Sequence, residues 1–465
     1  MKRDGKIIVI NDGLFERRAA LLEGEMLVDF FVESPTSSTM VGDIYKGRVI
    51  AIKPELKAAF VDIGLKRAGF LPLSSAGAEV APEILNDVDK KGRKFIDAGD
   101  EILVQVVKEP YSTKGARLTT YISIPEKYVV LMPGIEHIGV SKKIRDPQER
   151  ARLYTLASEL RVPGCGLVIR TASAGTKESL IKKSFARAVK LWKRIWRESK
   201  KVSAPALVYQ EADMFVRIAR DIFDANVDLM VVDSQDAYKR LKGYISLTTP
   251  EMVKRVELYK GDTPIFTAYD VEDQLKKALF RKVSLPSGGY IVIEPTEALV
   301  VIDVNSGKFS GETDPEKMIL ATNLEAAREI ARQLRLRDIG GIVVIDFIDM
   351  EEPAHKKELL QFFKKELAKD KAKSLVSPMS EFGLVHLTRE RTRSGVIHSF
   401  TEECPTCKGS GRTLSPPMVL SKFVRYIERH LDDLRGRIFV VGFHPFIMDY
   451  VEANRKEELQ SISYT

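Results

Sequence analysis

LVVIDVNSGKF, from Leu299 to Phe309, is the stretch that decides the fold, and it consists of an apolar run followed by polar residues and a Ser-Gly turn. The apolar run predicts a buried strand. Because alternate side chains of a strand share a face, we expect Asp303 and Asn305 to project together while Val304 packs behind them. The stretch therefore places a carboxylate and an amide side by side at the end of a core strand.

A second stretch, GGIVVIDFIDM from Gly340 to Met350, repeats this pattern, with a predicted buried strand over 342–345 and Asp346 at its end. Two carboxylates and an amide on neighbouring strand ends, Asp303, Asn305 and Asp346, would form an all-oxygen site for Mg²⁺, which binds few protein carboxylates and keeps several waters. A metal held in this way polarises a phosphoryl oxygen and activates water. The pattern alone leaves open that these are ordinary polar residues at strand ends.

The segment between the two strands predicts a helix that begins at Asp314-Pro315, an N-cap residue followed by proline at the first helical position. The helix is expected to stop at Gly340-Gly341 and to lead into the strand that carries Asp346. Its apolar face is formed by Leu320, Leu324, Ala327, Ala331 and Leu334, and arginines decorate its other faces at Arg328, Arg332, Arg335 and Arg337. A strand–helix–strand unit of this kind brings Asp346 beside Asp303.

Composition sets broad limits on the class of protein. A chain of 465 residues with 44% hydrophobic residues predicts two to four domains. The net charge of +8 is mild, and it permits a polyanionic partner without requiring one. The three cysteines, Cys165, Cys404 and Cys407, argue against a disulfide framework and for a reducing compartment. No run approaches the roughly 20 apolar residues of a membrane helix, so we expect a cytoplasmic protein without membrane contact.

Short strands with glycine turns follow one another from Gly42 to about Ile124 and predict a small closed barrel of the oligonucleotide-binding type. Phe60 and Phe70 fall on strands where such barrels offer a stacking surface to bases, and Lys46 and Lys114 are available for phosphates. Spacing alone leaves open that both phenylalanines belong to the barrel core.

The segments around the barrel predict one interrupted domain. Residues 4–34 are typical of a hairpin with a turn at Asn11-Asp12-Gly13, but they carry too little apolar surface to stand alone. The apolar strand Leu229–Val232 also needs partner strands, so we expect the two to pair. A helix over 177–200 combines a Trp-rich packing stripe with a basic face, which we interpret as solvated, with RNA contact as the alternative.

The motif Cys404-Pro-Thr-Cys407 offers two thiolates, whereas a structural zinc ion takes four ligands. A second subunit with its own pair, additional histidines, or a redox dithiol without zinc would each account for a single pair. The sequence does not choose among these three.

Three stretches closely resemble the RNase E/G family of bacterial endoribonucleases: Leu285–Gly307, Thr322–Met350 and the CPTCKGSG run at Cys404–Gly411. The resemblance implies a multidomain α/β fold with an inserted OB-fold-type β-barrel. Its expected parts are an RNase H-like scaffold domain split into 1–38 and 213–280, the RNA-binding barrel at 39–125, a 5′-phosphate sensor region at 126–212, a DNase I-like catalytic domain at 281–400, a zinc link at 401–412 and a small α/β C-terminal domain at 413–465.

The resemblance also implies roles for individual residues. Asp303 and Asp346 match the magnesium ligands and Asn305 the supporting amide, so these three are the expected catalytic residues. The RNA-binding residues are expected at Phe60, Phe70, Lys46 and Lys114. A pocket that senses a 5′-monophosphate is expected at Arg170, Thr171, Val130 and Lys142, where Lys142 replaces an arginine common in the family. Cys404 and Cys407 would hold a structural Zn²⁺ shared between two chains.

The expected function is that of a Mg²⁺-dependent endoribonuclease that cleaves single-stranded, AU-rich RNA to 5′-phosphate and 3′-hydroxyl ends in rRNA processing and mRNA decay. An RNA-binding assembly protein without catalysis is the alternative. We expect a homodimer through zinc, or a homotetramer. Because the chain ends without the long disordered extension with which RNase E recruits partners, its architecture is expected to be closer to RNase G.

Overall fold

The computed structural model describes residues 5–34, 39–75, 96–110, 114–307, 314–391, 400–402, 404–430 and 440–457, and elements are numbered along the chain. The chain divides into two compact units, Met1–Val396 and Ile397–Thr465. The described residues of the first unit form four sheets, one of which closes into a barrel. The described residues of the second unit form two helices.

The first sheet joins the N-terminal residues to a segment more than 200 residues later. Its strands are β1 (Lys6–Asp12), β2 (Arg17–Glu23), β3 (Met26–Glu33), β14 (Leu229–Val232) and β15 (Val256–Leu258), in the order β15-β14-β1-β2-β3. β1 and β14 pair in parallel, which confirms the expected pairing. The expected hairpin is, however, a three-stranded meander, because a second turn at Gly24, with φ of 62°, divides its second half into β2 and β3.

Helices cover both faces of this first sheet: α3 (Met214–Asp221), α4 (Gln235–Thr248), α5 (Ile265–Ala268) and α6 (Val271–Ala278). The residues of β1 alternate between the two faces, as the period of a strand requires. Ile8 and Ile10 pack with Phe215 of α3, whereas Ile7 and Val9 pack with Phe266 of α5. A strand buried on both faces explains the unbroken apolar run at the N-terminus.

The predicted barrel is present and closed. Its strands are β4 (Ile44–Lys53), β5 (Ala58–Asp62), β6 (Gly69–Pro72), β7 (Glu101–Lys108) and β8 (Arg117–Thr119). The pairing of β4 with β7 closes the circle, and β13 (Ala206–Tyr209) adds to the edge of β4. Val49, Val61, Leu71, Val104 and Leu118 fill the interior. Most of the loop expected at Gly77–Asp97 lies outside the described residues.

The part of the first unit that follows the barrel in sequence is a four-stranded sheet with two helices. Its elements are β9 (Ile124–Pro125), β10 (Val129–Pro133), β11 (Ile138–Val140), β12 (Cys165–Ile169), α1 (Pro147–Glu159) and α2 (Glu178–Ser199), with the strand order β11-β12-β10-β9. Helix α2 buries Ile181, Ala188, Trp192 and Ile195, and the rings of Trp192 and Trp196 lie 6.0 Å apart. The Trp-rich stripe is therefore a packing face.

The sheet that carries the candidate site has six strands: β16 (Lys282–Ser284), β17 (Tyr290–Pro295), β18 (Leu299–Asn305), β19 (Gly341–Asp346), β20 (Ser374–Met379) and β21 (Leu384–Arg389). Their order is β16-β17-β18-β19-β21-β20, and only β18 and β19 pair in parallel among them. Helices α7 (Pro315–Leu336) and α8 (Pro353–Leu367) pack on the sheet, with Ile330 and Phe363 in a core shared with Ile302 and Ile345. The Asp314 side chain caps α7, as predicted.

Three of the four arginines expected on the other faces of α7 make specific contacts with distant parts of the chain, and Arg337 is the C-cap residue of the helix. Arg332 donates to the Leu27 carbonyl at 2.7 Å, and Arg335 pairs with Glu23 at 3.2 Å. Arg337 is buried and donates to the Phe280 carbonyl, and its burial lowers its pKa to about 10. The contacts of Arg332 and Arg335 tie α7 to the first sheet, over sequence separations that helical periodicity does not reveal.

The second unit contains α9 (Pro416–Arg429) and α10 (Pro445–Asn454), which pack through Leu420, Ile447 and Val451. The small C-terminal domain was expected to be α/β; residues 431–439 lie outside the described part of the chain, and the described residues 440–443 form no strand. No helix among the described residues is long and apolar enough to cross a membrane.

Candidate metal centre

The two aspartates that the sequence singled out are direct neighbours. In the parallel pairing of β18 with β19, Asp303 lies opposite Asp346, as the last matched pair of the two strands. Both carboxylates are exposed, whereas the preceding residues Ile302 and Ile345 are fully buried. The strand periodicity that buries the isoleucines therefore turns both carboxylates to the same open face.

Asn305 completes the group from the same strand face. Its amide Nδ2 donates to Oδ2 of Asp303 at 2.7 Å, and its side chain is half-buried. The chain then turns at Gly307, with φ of 60°, where an added Cβ would lie 2.3 Å from the Gly288 carbonyl oxygen. The amide holds one oxygen of Asp303 in a fixed direction, and the turn needs glycine both for its backbone angle and for close approach.

The electrostatics of the site favour a bound cation. Partial desolvation by the surrounding chain raises the pKa of the Asp346 carboxyl, and the neighbouring carboxylates of Asp303 and Asp349 raise it further. Like charges held this close stabilise a positive ion between them. No group of three or more His, Cys, Asp or Glu side chains with metal-site geometry occurs among the described residues. A site with two carboxylates fits Mg²⁺, which is commonly bound by one or two carboxylates together with substrate phosphates.

A buried asparagine of α7, which the sequence analysis missed, supports the strand end that carries Asp346. Asn323 is fully buried, donates from Nδ2 to the Ile348 carbonyl at 2.8 Å, and accepts the Ile348 N–H at 3.0 Å. This two-bond clamp fixes the segment that leads from Asp346 to Asp349. The available signal was an amide next to the apolar residues Leu320 and Leu324 of α7, where a buried polar side chain needs partners.

The barrel brings its two expected aromatic residues together. Phe60 and Phe70 are cross-strand partners of β5 and β6, with ring centroids 6.1 Å apart and ring planes at 77°. Both side chains are half-buried and lie outside the cluster that fills the barrel. Lys114 is exposed. Lys46 instead pairs with Glu101 at 3.0 Å and donates to the Val202 carbonyl at 2.9 Å.

The four residues of the expected sensor lie on or beside the same small sheet. Arg170 follows β12, and Nη1 contacts Oδ1 of Asp221 at 2.7 Å and the Glu126 carbonyl at 2.8 Å. The Thr171 hydroxyl hydrogen-bonds to that of Ser141 at 2.8 Å. The remaining two are the half-buried Val130 on β10 and the exposed Lys142 beside Ser141.

Asp221 is the partner that sequence reasoning missed at this sensor. Burial alone would raise the pKa of this carboxyl, but Arg220 and Arg170 together hold it below its usual value. The carboxylate is therefore the fixed counter-charge of the Arg170 guanidinium. Its position 51 residues along the chain, at the end of α3, gave no local signal.

In the second unit, Cys404 is exposed and Cys407 is partly exposed. Backbone N–H groups of Cys407 and Thr406 hydrogen-bond to the Cys404 sulfur and hold the pKa of this thiol below its usual value. A lowered pKa increases the fraction of thiolate, which is the form of cysteine that binds metal ions. Cys165 is different, because burial raises the pKa of its thiol to about 12. No third metal-binding side chain completes a set with Cys404 and Cys407 among the described residues.

The fold and site define a class of protein that acts on RNA: a nucleic-acid-binding barrel is joined to an α/β domain with two carboxylates at the ends of two central strands. The S1 RNA binding domain model matches residues 38–120, and the Ribonuclease E/G family model matches residues 123–392. The chain belongs to the ribonuclease E/G family and is an endoribonuclease.

Curated relatives extend the match across the chain. Ribonuclease G of Escherichia coli strain K12 is 38% identical over 464 residues, which cover 98% of this chain and 94% of the relative. Ribonuclease G of Haemophilus influenzae is 38% identical over 442 residues, covering 94% and 90%. Ribonuclease E of Haemophilus influenzae is 40% identical over 419 residues, which are 89% of this chain but 44% of that relative.

Proposed function

We propose that this endoribonuclease is Mg²⁺-dependent and that Asp303, Asp346 and Asn305 form its catalytic site. The observation that carries the proposal is the direct pairing of Asp303 with Asp346 at the ends of two parallel strands, with Asn305 bonded to Asp303. In this proposal the first sheet with its helices is the RNase H-like scaffold, and the six-stranded sheet belongs to a DNase I-like catalytic domain.

Each residue of the site has a separate task. Asp303 and Asp346 would hold Mg²⁺, which when bound supplies charge for the phosphoryl oxygens and activates water. Asn305 keeps Asp303 oriented through its 2.7 Å hydrogen bond. Asn323 fixes the segment that follows Asp346, so that this carboxylate stays opposite its partner. Fixed charges of this kind require little reorganisation during the reaction.

The substrate in this proposal is single-stranded, AU-rich RNA, cleaved to 5′-phosphate and 3′-hydroxyl ends during rRNA processing and mRNA decay. Phe60 and Phe70 present two half-exposed rings on which bases can stack, each stacked base contributing about 1–3 kcal/mol. Lys114 is exposed for a phosphate contact, and Lys46 would have to exchange Glu101 for one.

Arg170 and Thr171 would bind a 5′-monophosphate, with Val130 and Lys142 at the edge of the pocket. Asp221 fixes the Arg170 side chain in place through one guanidinium nitrogen, Nη1. A guanidinium that is already oriented loses less conformational freedom on binding phosphate. Lys142 would contribute as a point charge rather than as a planar fork.

The assembly proposed is a homodimer in the cytoplasm, linked by one Zn²⁺ that takes Cys404 and Cys407 from each of two chains, with a homotetramer as the alternative. The lowered pKa of Cys404 supports a thiolate ligand, and four thiolates complete a tetrahedral set. Zinc analysis of the purified protein tests this arrangement. About half a zinc per chain is expected from two chains sharing one ion, with loss in Cys404→Ser; one zinc per chain would contradict the shared link.

The catalytic proposal is tested with a short 5′-monophosphorylated, AU-rich RNA. Wild type is expected to cut it with Mg²⁺ and to stop when EDTA removes the metal, whereas Asp303→Asn binds the RNA without cutting. Asp262→Asn makes the same chemical change at an exposed position outside the site and should cut normally. Cutting by Asp303→Asn would refute the site. Binding without cutting by wild type would instead favour the RNA-binding assembly protein.

A further inference from the structure

One face of the six-stranded sheet is open around the two aspartates of the candidate metal centre. Helices α7 and α8 pack on the opposite face, where the core of this part of the chain lies. On the open face, Ile342 of β19 is 50% exposed and Leu375 of β20 is 63% exposed. Because successive side chains of a strand alternate between the two faces, the strand register shows which residues share the open face with Asp303 and Asp346.

His386 of β21 is one of these residues. In the antiparallel pairing of β19 with β21, Asp346 is opposite Leu384 and Val344 is opposite His386. Residues opposite each other on paired strands have their side chains on the same face, and so do residues two apart on one strand. His386 is therefore a diagonal neighbour of Asp346, positions that are typically about 7–8 Å apart, and it is exposed.

The imidazole of His386 is not used by the fold. Its backbone N–H donates to the Ser377 hydroxyl at 3.1 Å, but the ring makes no hydrogen bond or ion pair within the described part of the chain. His355 is different, because its Nδ1 contacts Glu316 at 3.1 Å. Nor does His386 form a metal-binding cluster with the two aspartates in the residues that the structure describes. The ring is therefore available to a substrate.

Lys282 of β16 also lies on the open face, on the other side of the aspartates. It is two strands away from Asp303, because the residue of β17 that pairs with Lys282 also pairs with Asp303. Its ammonium lies 3.6 Å from the centre of the Tyr290 ring. A lysine ammonium is also a much weaker acid than an imidazolium. Of these two side chains, His386 is the one suited to give up a proton.

The proposed cleavage needs a proton that the metal centre does not supply. When the P–O3′ bond breaks, the leaving oxygen must take up a proton to become the 3′-hydroxyl end. Asp303 and Asp346 are deprotonated when they hold a metal ion, and the Asn305 amide already donates to Asp303. Histidine is the side chain that most often serves as a general acid.

The diagonal position of His386 suits this task. A residue directly opposite Asp346 would contact the carboxylate itself, since such Cβ atoms are only about 4.5–5.5 Å apart. At the diagonal distance, the imidazole and the carboxylate can flank one phosphate group. The open face leaves space for the RNA strand above both side chains.

We propose that His386 is the general acid of this endoribonuclease and that its imidazolium donates a proton to the leaving 3′-oxygen of the scissile phosphate held at Asp303 and Asp346. The new P–O bond forms from water as the P–O3′ bond breaks. The proton of the attacking water passes to solvent, and the imidazole takes a proton from solvent before the next cycle. The inference rests on the proposed function, since it takes the position of the cleaved bond from the two aspartates.

The test compares two RNAs of the same sequence, of which one carries sulfur in place of the bridging 3′-oxygen at the bond that wild type cleaves. Sulfur leaves as a thiolate and needs no acid. His386→Gln keeps an N–H donor but cannot transfer a proton. The variant should lower kcat on the ordinary RNA by about 10²–10⁴-fold, the range for loss of a general acid, and should cut the sulfur RNA at a rate close to that of wild type.

His137→Gln is the matched control, because this histidine is also exposed but lies just before β11, on another sheet. It should cut both RNAs normally. Equal kcat values of His386→Gln and wild type on the ordinary RNA would overturn the proposal. So would an equal loss on both RNAs, because a disturbed sheet, unlike a lost proton donor, is not rescued by sulfur.

A footprint separates this inference from the catalytic proposal. Diethyl pyrocarbonate modifies exposed imidazoles, and mass spectrometry measures each histidine separately. In Asp303→Asn protein, bound RNA should protect His386 and leave His137 reactive. Modification of His386 at the same rate with and without bound RNA would reject its contact with the substrate. Cleavage by Asp303→Asn would refute the metal centre, whereas sulfur rescue of His386→Gln would still support the general acid.

Discussion

The two ends of strand β19 differ in how the charges beside them are compensated. At its start, Arg389 of the neighbouring strand is buried and contacts Asp338 at 2.8 Å and Asp370 at 2.7 Å. At its end, five residues later, Asp346 lies beside Asp303 with a second carboxylate instead of a cation as its strand neighbour. Charges that are satisfied within the chain stabilise the fold, whereas like charges held together leave their compensation to a ligand.

The largest expected effect is on activity at the end of β19. Asp346→Asn keeps the size of the side chain but removes a negative charge that the metal needs. We expect kcat/KM to fall on the order of 10⁴-fold, equivalent to about 5 kcal/mol of transition-state stabilisation. Rates with the 5′-monophosphorylated RNA at several Mg²⁺ concentrations measure the loss. An Asp346→Asn protein that fails to fold would break the comparison, since this carboxylate is assigned no stabilising role.

The next effect is on stability at the start of β19. Arg389→Met leaves Asp338 and Asp370 without their buried cation, and removing one partner from such a network typically costs about 3–5 kcal/mol. Urea unfolding measures the change. Arg152→Met is the control, because Arg152 makes a bidentate contact with the carboxylate of Glu149 at the surface. Its loss should lower the free energy of unfolding by about 1 kcal/mol or less. Equal losses in the two variants would contradict the distinction.

Asn305→Ala tests the end of β19 further, with a smaller expected effect on activity than Asp346→Asn. It removes the donor that orients Asp303 and leaves both carboxylates in place. Loss of a group that orients a metal ligand typically lowers metal affinity or activity about 10- to 100-fold. The Mg²⁺ concentration that gives half-maximal cleavage should rise accordingly. Asn454→Ala, in the second unit, is the control. No change for Asn305→Ala would mean that strand register alone positions Asp303.

The sequence predicted the end of β19 better than its start. The adjacency of Asp303 and Asp346 follows from two apolar runs of the same form and one capped helix between them, all of which are local patterns. The partners of Arg389 lie 51 and 19 residues away and belong to no shared period. Arg332 and Arg335 reach the first sheet across more than 300 residues, which helical periodicity cannot show.

Local sequence patterns also fail to predict the distant contacts that hold the site residues in place. Asn323 could be noticed as a polar residue next to apolar residues of α7, but its partner at Ile348 emerges only once α7 is packed on the sheet. Asp221 beside Arg170 had no sequence signal. Patterns of period two and 3.6 predict which face a residue occupies. They do not predict which distant side chain meets it there.

The smallest expected effect tests whether the carboxylate pair costs stability. Because the pKa of Asp346 is raised in the native state, the native protein binds this proton more tightly than the unfolded chain does. The stability that this group contributes is therefore present at low pH and falls as pH rises from the usual aspartate pKa through the raised value.

In EDTA at neutral pH, the free energy of unfolding of Asp346→Asn should exceed that of wild type by about 0.2–1 kcal/mol, the range for relief of like charges on paired strands. Unfolding measured across pH 4–8 should show that wild type loses this increment as pH rises and that the variant does not. A variant less stable than wild type at neutral pH would mean that Asp346 is held by favourable contacts, and the two ends of β19 would no longer differ in kind.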